Sequence, residues 1–193
     1  MSKRFVNQKR NAVERYNQAR NLGDVDEEII PLLEHINSLD DYYTTSSCSG
    51  RIALLLEMGS KKDCRWLGKW HREITLQKLI KCLDDMPPEG VVWFKYESPI
   101  LHIAAKTLEK AKKILYIARE SGYKRVGIQG LKKERFLVEV CDTERVDCPL
   151  AENGILLVDE GYLKYLVAFS NMRFRRGRMK LAGLESSLST NLG

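Results

Sequence analysis

"YYTTSSCSGRIALLLEM", residues 42–58, joins a hydroxyl-rich segment to a nearly continuous apolar one, and its reading decides how many sheets the chain builds. Both halves are rich in strand formers, and "CSG" at Cys48 to Gly50 must turn the chain between them. The pair therefore reads as a hairpin with its loop at Cys48–Gly50. Five hydroxyls and one thiol occupy residues 44–49, followed by Gly50 and Arg51. Three chemistries suit such a run: a plain β-hairpin, a cysteine nucleophile with its helpers, or a cradle for an anionic or highly polar ligand. In a cradle, backbone N–H groups and hydroxyls converge while Arg51 adds a planar charged fork; its structural alternative pairs Arg51 with Asp40 or Asp41.

Outward from this segment, strands cluster and a few helices interrupt them. Residues 3–20 have helical spacing, with Phe5, Val6, Val13 and Tyr16 on one side, six basic residues elsewhere and Glu14 as the one acid. A short helix is expected from Asp26 to about Ile36, with Pro31 early enough to be tolerated. "RWLGKWH" reads as a strand, and Thr75 to Asp84 as a helix that stops before Pro87 and Pro88. "VVWFKYE" and "ILHIAAK" flank Ser98-Pro99, and a helix runs from Thr107 to about Ser121. Short strands follow at "RVGIQG", "RFLVEV", "RVDCPL" and "GILLVD", with Asn153-Gly154 as a turn. A last helix starts near Gly161, carries "RFRRGRMK" with five basic residues in eight, and gives way to a serine-rich tail expected to fray after about residue 183. The fold class is α+β, a mixed sheet flanked by helices within one domain over 1–193, since no linker or repeat divides the chain.

Composition bounds the function. With 193 residues, 44% hydrophobic and 30% charged, the chain reads as a soluble globular protein, and its net charge of +6 favours a polyanionic partner. Five cysteines at irregular spacing without a C-x-x-C pair argue against a disulfide framework or structural zinc, so no metal is expected and a reducing cytoplasm fits. No apolar run approaches the about 18 to 20 residues that span a bilayer. Neither G-x-G-x-x-G nor a phosphate-binding G-x-x-x-x-G-K-[ST] loop occurs, which removes support for a Rossmann-type cofactor site. His71 and His102 are read as packed core residues or as proton acceptors. Trp66, Trp70, Trp93, Phe94 and Tyr96 are read as core or as a stacking surface for a base, and Glu97 as a solvated strand end or a polar contact. From the residues alone the chain is a soluble α+β protein with RNA as a candidate partner.

A resemblance goes further. "YYTTSSCSGRIAL", "WLGKWH", "WFKYESPILHIAA", "GYKRVGIQG" and "VDCPLAENGILLVDEGYLKYLVAFSNMRF" resemble, in order, the signatures of the tRNA wybutosine-synthesizing protein 3 family, over about residues 3–175. That resemblance implies an S-adenosylmethionine-dependent methyltransferase without a Rossmann-type sheet, acting on N4 of a 4-demethylwyosine-type base at position 37, in the anticodon loop of tRNA(Phe). Ser46, Ser47, Cys48, Gly50 and Arg51 match the family's first box, read as a polar pocket for cofactor or base and assigned here to the cofactor, and on our mechanistic reading His71 or His102 accepts the released proton. The same reading gives Trp70, Glu97 and Asn171 to the RNA substrate, with Arg173, Arg175 and Arg176 of a basic run that matches the family only loosely. Ser98 departs from the family's usual Glu-Pro step, and Arg125-Val126 from its small polar residue, which weakens those two signatures as evidence for single contacts. The runner-up is a non-catalytic RNA-binding protein; a cysteine-dependent hydrolase centred on Cys48 is a further alternative.

Overall fold

The computed structural model describes residues 3–59, 63–132 and 135–192. In chain order these form α1 (Lys3–Asn21), a 3-10 turn (Glu27–Ile29), α2 (Ile30–Ser38), β1 (Tyr42–Cys48), β2 (Arg51–Glu57), β3 (Arg65–Trp70) and α3 (Leu76–Asp84). Then follow β4 (Val91–Glu97), β5 (Ile100–Ala105), α4 (Leu108–Glu120), β6 (Arg125–Lys132), β7 (Arg135–Cys141), β8 (Arg145–Glu152), β9 (Ile155–Leu156) and α5 (Glu160–Leu192). This is the expected α+β class. The chain folds into two compact units, one of residues 1–49, 99–143 and 178–193, the other of residues 50–98 and 144–177.

The first unit holds an antiparallel sheet of order β1-β5-β7-β6. Side chains alternate across it: Leu101, Ile103, Val138 and Val140 point to one face, and His102, Ala104, Leu137 and Glu139 to the other. The apolar face packs on Leu32, Leu33 and Ile36 of α2, Ala111, Ile114 and Ile117 of α4, and Leu181, Leu184 and Leu188 of α5. On the opposite face Phe5 and Ala12 of α1 cover Tyr43 and Ala104, with the Phe5 and Tyr43 rings 5.2 Å apart. Val6, expected on the buried side of α1, is half exposed, because Phe5 and Ala12 set the stripe. The serine-rich tail does not fray: α5 continues to Leu192, since Leu181, Leu184 and Leu188 recur at helical spacing and are buried.

The second unit holds the antiparallel order β3-β2-β4-β8-β9. Ile52, Leu54, Leu56, Phe94 and Tyr96 point inward against Leu79 and Leu83 of α3 and Leu163, Leu166 and Phe174 of α5. Thr75 caps α3 by accepting from the Lys78 N–H, as Thr107 caps α4.

The hairpin expected at Cys48–Gly50 does not form. β1 pairs with β5 in one unit, while β2 lies between β3 and β4 in the other. Gly50 (φ 93°) is positive and Ser49 is not, which excludes only the two-residue I′ and II′ turns across Ser49-Gly50. Asn153 (φ 50°) and Gly154 (φ 77°) are both positive, and β8 and β9 do form the hairpin expected there. Burial selects the two-sheet arrangement, since the fully buried residues of β2 suit a strand paired on both edges and the polar β1 suits an edge.

Candidate active site

In the first unit the hydroxyl-rich segment is a bulged edge strand. Register runs from Thr44↔Ile103 to Ser47↔Leu101, so Thr45 and Ser46 together oppose His102. The imidazole fills the bulge: His102 Nδ1 lies 2.9 Å from the Ser46 carbonyl oxygen and 3.2 Å from its Oγ. Its Nε2 lies 3.1 Å from Glu139 Oε2, and the Gln129 amide donates to Glu139 Oε1 at 3.2 Å. Both ring nitrogens therefore face oxygen acceptors. At the strand end the Asp26 carboxylate accepts from Ser49 N–H (2.9 Å) and Ser49 Oγ (2.7 Å), which fixes the bend after Cys48. On the outer edge Asn37 Oδ1 accepts from the Thr44 N–H at 2.8 Å.

That edge borders a cleft of about 440 Å³. Thr44, Thr45, Ser46 and Ser47 form one wall, and Ala12, Arg15, Tyr16 and Ala19 of α1, with Asp24, Val25 and Leu33, form the rest. Ser47 Oγ and Tyr16 Oη are buried and have no hydrogen-bond partner among the described residues. Burial, reinforced by Glu34, raises the Tyr16 pKa, so its phenol remains a neutral donor.

The second unit carries the other half of the candidate set. Arg51 and Glu97 are cross-strand partners in register, and their side chains form an ion pair. The Arg51 guanidinium also lies 4.8 Å from the Trp66 ring centre. Arg51 thus pairs with Glu97 rather than with Asp40 or Asp41; Asp41 holds Lys106 and Lys110. His71 Nδ1 lies 3.1 Å from the Gly50 carbonyl oxygen, so the tautomer protonated at Nδ1 satisfies that acceptor. Trp70 folds over Gly68, where an added Cβ would come within 2.3 Å of its indole, and packs on the core. Trp66 is the more exposed indole, at 42%. Asn171 spends its amide on the backbone of Ile74, accepting at 3.0 Å and donating at 2.8 Å. Arg173 pairs with Glu144 and lies over the Phe169 ring, Arg175 pairs with Glu73, and Arg176 is exposed.

Of the five residues expected around a cofactor, Ser46 and Ser47 line the cleft, Cys48 ends β1, and Gly50 and Arg51 belong to the other unit. Sequence reading did not single out Arg15, Tyr16 and Asp24 of the cleft, the Glu139 partner of His102, or Asp26 as the anchor of the bend. Only the basic character of α1 hinted at Arg15.

Compared with known proteins, residues 7–190 match the family described as Methyltransferase TYW3. The chain belongs to that family. A Pyrococcus furiosus relative in the family, tRNA(Phe) 7-((3-amino-3-carboxypropyl)-4-demethylwyosine(37)-N(4))-methyltransferase 1, is 44% identical over 190 residues, covering 97% of this chain and 96% of its own. The Methanocaldococcus jannaschii protein named tRNA(Phe) 7-((3-amino-3-carboxypropyl)-4-demethylwyosine(37)-N(4))-methyltransferase is 42% identical over 177 residues, covering 90% and 91%. Among solved structures, the PH1069 protein from Pyrococcus horikoshii superposes with a TM-score of 0.90 at 42% identity over 95% of both chains. A hypothetical protein from Aeropyrum pernix superposes at 0.73 with 26% identity, covering 86% of this chain and 98% of its own. Membership in a methyltransferase family implies a methyl donor, and no described helix is long and apolar enough to cross a membrane.

Proposed function

We propose that this chain is an S-adenosylmethionine-dependent methyltransferase that methylates N4 of a 4-demethylwyosine-type base at position 37 of tRNA(Phe), working in the cytoplasm. The near full-length likeness to relatives named for that reaction supports substrate and reaction class. We take the whole chain as one tRNA methyltransferase domain, because neither compact unit is a continuous segment of sequence.

The observation that carries the reading is the cleft beside the β1 bulge, with its buried, unpartnered Ser47 and Tyr16 hydroxyls. Its donor set suits the cofactor: Arg15 offers a fork for a carboxylate, Asp24 an acceptor for an ammonium or ribose hydroxyls, and Ser46 and Ser47 further hydroxyls. When bound, S-adenosylmethionine supplies an electrophilic methyl group. The protein's task is then positioning, since an in-line displacement at nitrogen needs reacting atoms held at near-attack distance and no covalent enzyme intermediate. His102, with acceptors at both nitrogens, holds the Thr45–Ser46 bulge in shape. We assign to His71, whose Nδ1 faces the Gly50 carbonyl, the acceptance of the released proton. The Arg51–Trp66–Glu97 group and Arg176 contact RNA, and exposed Trp66 offers a stacking face that core-packed Trp70 does not.

Two measurements test this. Calorimetric titration with S-adenosylmethionine should give binding that Ser47→Ala weakens by about 2- to 10-fold, the worth of one hydrogen bond. Single-turnover methylation of tRNA(Phe) bearing the 4-demethyl base should slow about 100-fold or more in His71→Ala while cofactor affinity holds. A chain that binds tRNA but neither the cofactor nor a methyl group would be a non-catalytic RNA-binding protein.

A further inference from the structure

A second recess lies against the same strand. Gln8, Asn11 and Arg15 of α1 meet Tyr43 and Thr45 of β1 and Arg135 of β7 around a cavity of about 190 Å³. Among the described residues its lining holds two guanidiniums, two amides and two hydroxyls, and no carboxylate.

Among the described residues several arginines have no ion pair, Arg65, Arg72 and Arg119 among them, and Arg15 and Arg135 are two that share one recess. Arg10, Arg20, Arg51, Arg145, Arg173, Arg175 and Arg178 each have a carboxylate partner. Neither Arg15 nor Arg135 forms an ion pair among the described residues, and Arg135 Nε is buried with no hydrogen-bond partner. Tyr43 reports both charges: burial raises its pKa, while Arg135, which also hydrogen-bonds the phenol, and Arg15 pull it down. Two like charges converging in a half-enclosed space repel each other, and a buried guanidinium N–H without an acceptor is costly. An anion with several acceptor oxygens relieves both penalties. The cavity is smaller than the roughly 300 Å³ at which small-molecule pockets begin, so it suits a single anionic group and not a base. It also shares Arg15 and Thr45 with the larger cleft.

We propose that the Arg15–Arg135 recess seats one phosphodiester of the RNA backbone beside the cleft. The inference rests on the proposed function insofar as RNA is the ligand, and it is tested by binding alone. The probe is an unmodified anticodon stem-loop of tRNA(Phe), which carries no carboxylate on its base, followed by fluorescence anisotropy over a salt series. Arg15→Gln and Arg135→Gln should each weaken binding and lower the slope of log K against log salt by about 0.7 to 0.9, the signature of one lost phosphate contact. The double variant should add little slope, because both side chains grip one phosphate. Lys113→Gln, an exposed lysine on α4, should leave the slope unchanged. Arg135→Lys should restore most of it, which separates charge from folding, and Arg135→Gln should leave cofactor affinity unaltered.

Unchanged affinity and slope in both glutamine variants would overturn the proposal. So would an effect seen only with a base that bears a carboxylate, because the anion would then be the base's own. Loss of slope in a protein that never methylates would refute the proposed function and leave this site standing; methylation with an unaltered slope would do the reverse.

Discussion

Leu188→Ala tests whether the carboxy-terminal turns of α5 are structural. Leu188 is fully buried among α2, α4 and the first unit's sheet, together with Leu184. Truncation to Ala removes three buried carbons, about 2.4 kcal/mol at about 0.8 kcal/mol each, and leaves a cavity that raises the cost to about 3–4 kcal/mol. At about 2–4 °C per kcal/mol for a chain of this size, the melting temperature should fall by about 6–16 °C. Met179→Ala on the same helix, at a residue 68% exposed, should change it by less than about 2 °C. Calorimetry at matched concentration, with urea unfolding as a second probe, reads both variants. Equal melting temperatures for Leu188→Ala and wild type would refute the packing argument and restore a frayed tail.

Gly68→Ala should displace the Trp70 indole, whose atoms lie where the new Cβ would sit; it should destabilise by about 1–3 kcal/mol and shift tryptophan emission to the red. Asp26→Ala leaves the buried Ser49 N–H and hydroxyl without their carboxylate, for a loss of about 1–3 kcal/mol in urea unfolding. Asp41 has a pKa below the usual carboxylate range, held there first by a hydrogen bond from Lys110 and, against a burial penalty, by Lys106. Its contribution is thus present above about pH 4 and lost as pH falls through the lowered folded value. Asp41→Asn should therefore lower the unfolding free energy from urea denaturation at pH 7 slightly, by about 1 kcal/mol or less, and leave it equal to wild type near pH 2.

Most helices were legible because their signals are local. Thr75 and Thr107 mark starts by capping, and the apolar spacing of residues 108–118 marks a buried face. Asn153-Gly154 gave its hairpin for the same reason. Partner choice was not legible, since "CSG" looks like any short turn and pairing of β1 and β2 depends on distant strands. The two tryptophans of β3 show how a bulge defeats alternation. Strict period two would put Trp66 and Trp70 on one face, yet the register shift between Leu54 and Leu55 leaves Trp66 exposed with Arg51 and Trp70 against the core. The cleft was half legible. Ser46 and Ser47 carry a signature, whereas Arg15, Tyr16 and Asp24 reach it through packing of α1 that no local pattern announces.

The most direct test of the account is a crystal structure of the protein with S-adenosylhomocysteine. The account predicts ligand density in the cleft between β1 and α1, with polar atoms within hydrogen-bond distance of Ser47 Oγ and Arg15. Ligand bound elsewhere, with the Thr44–Ser47 wall facing only solvent, would contradict it.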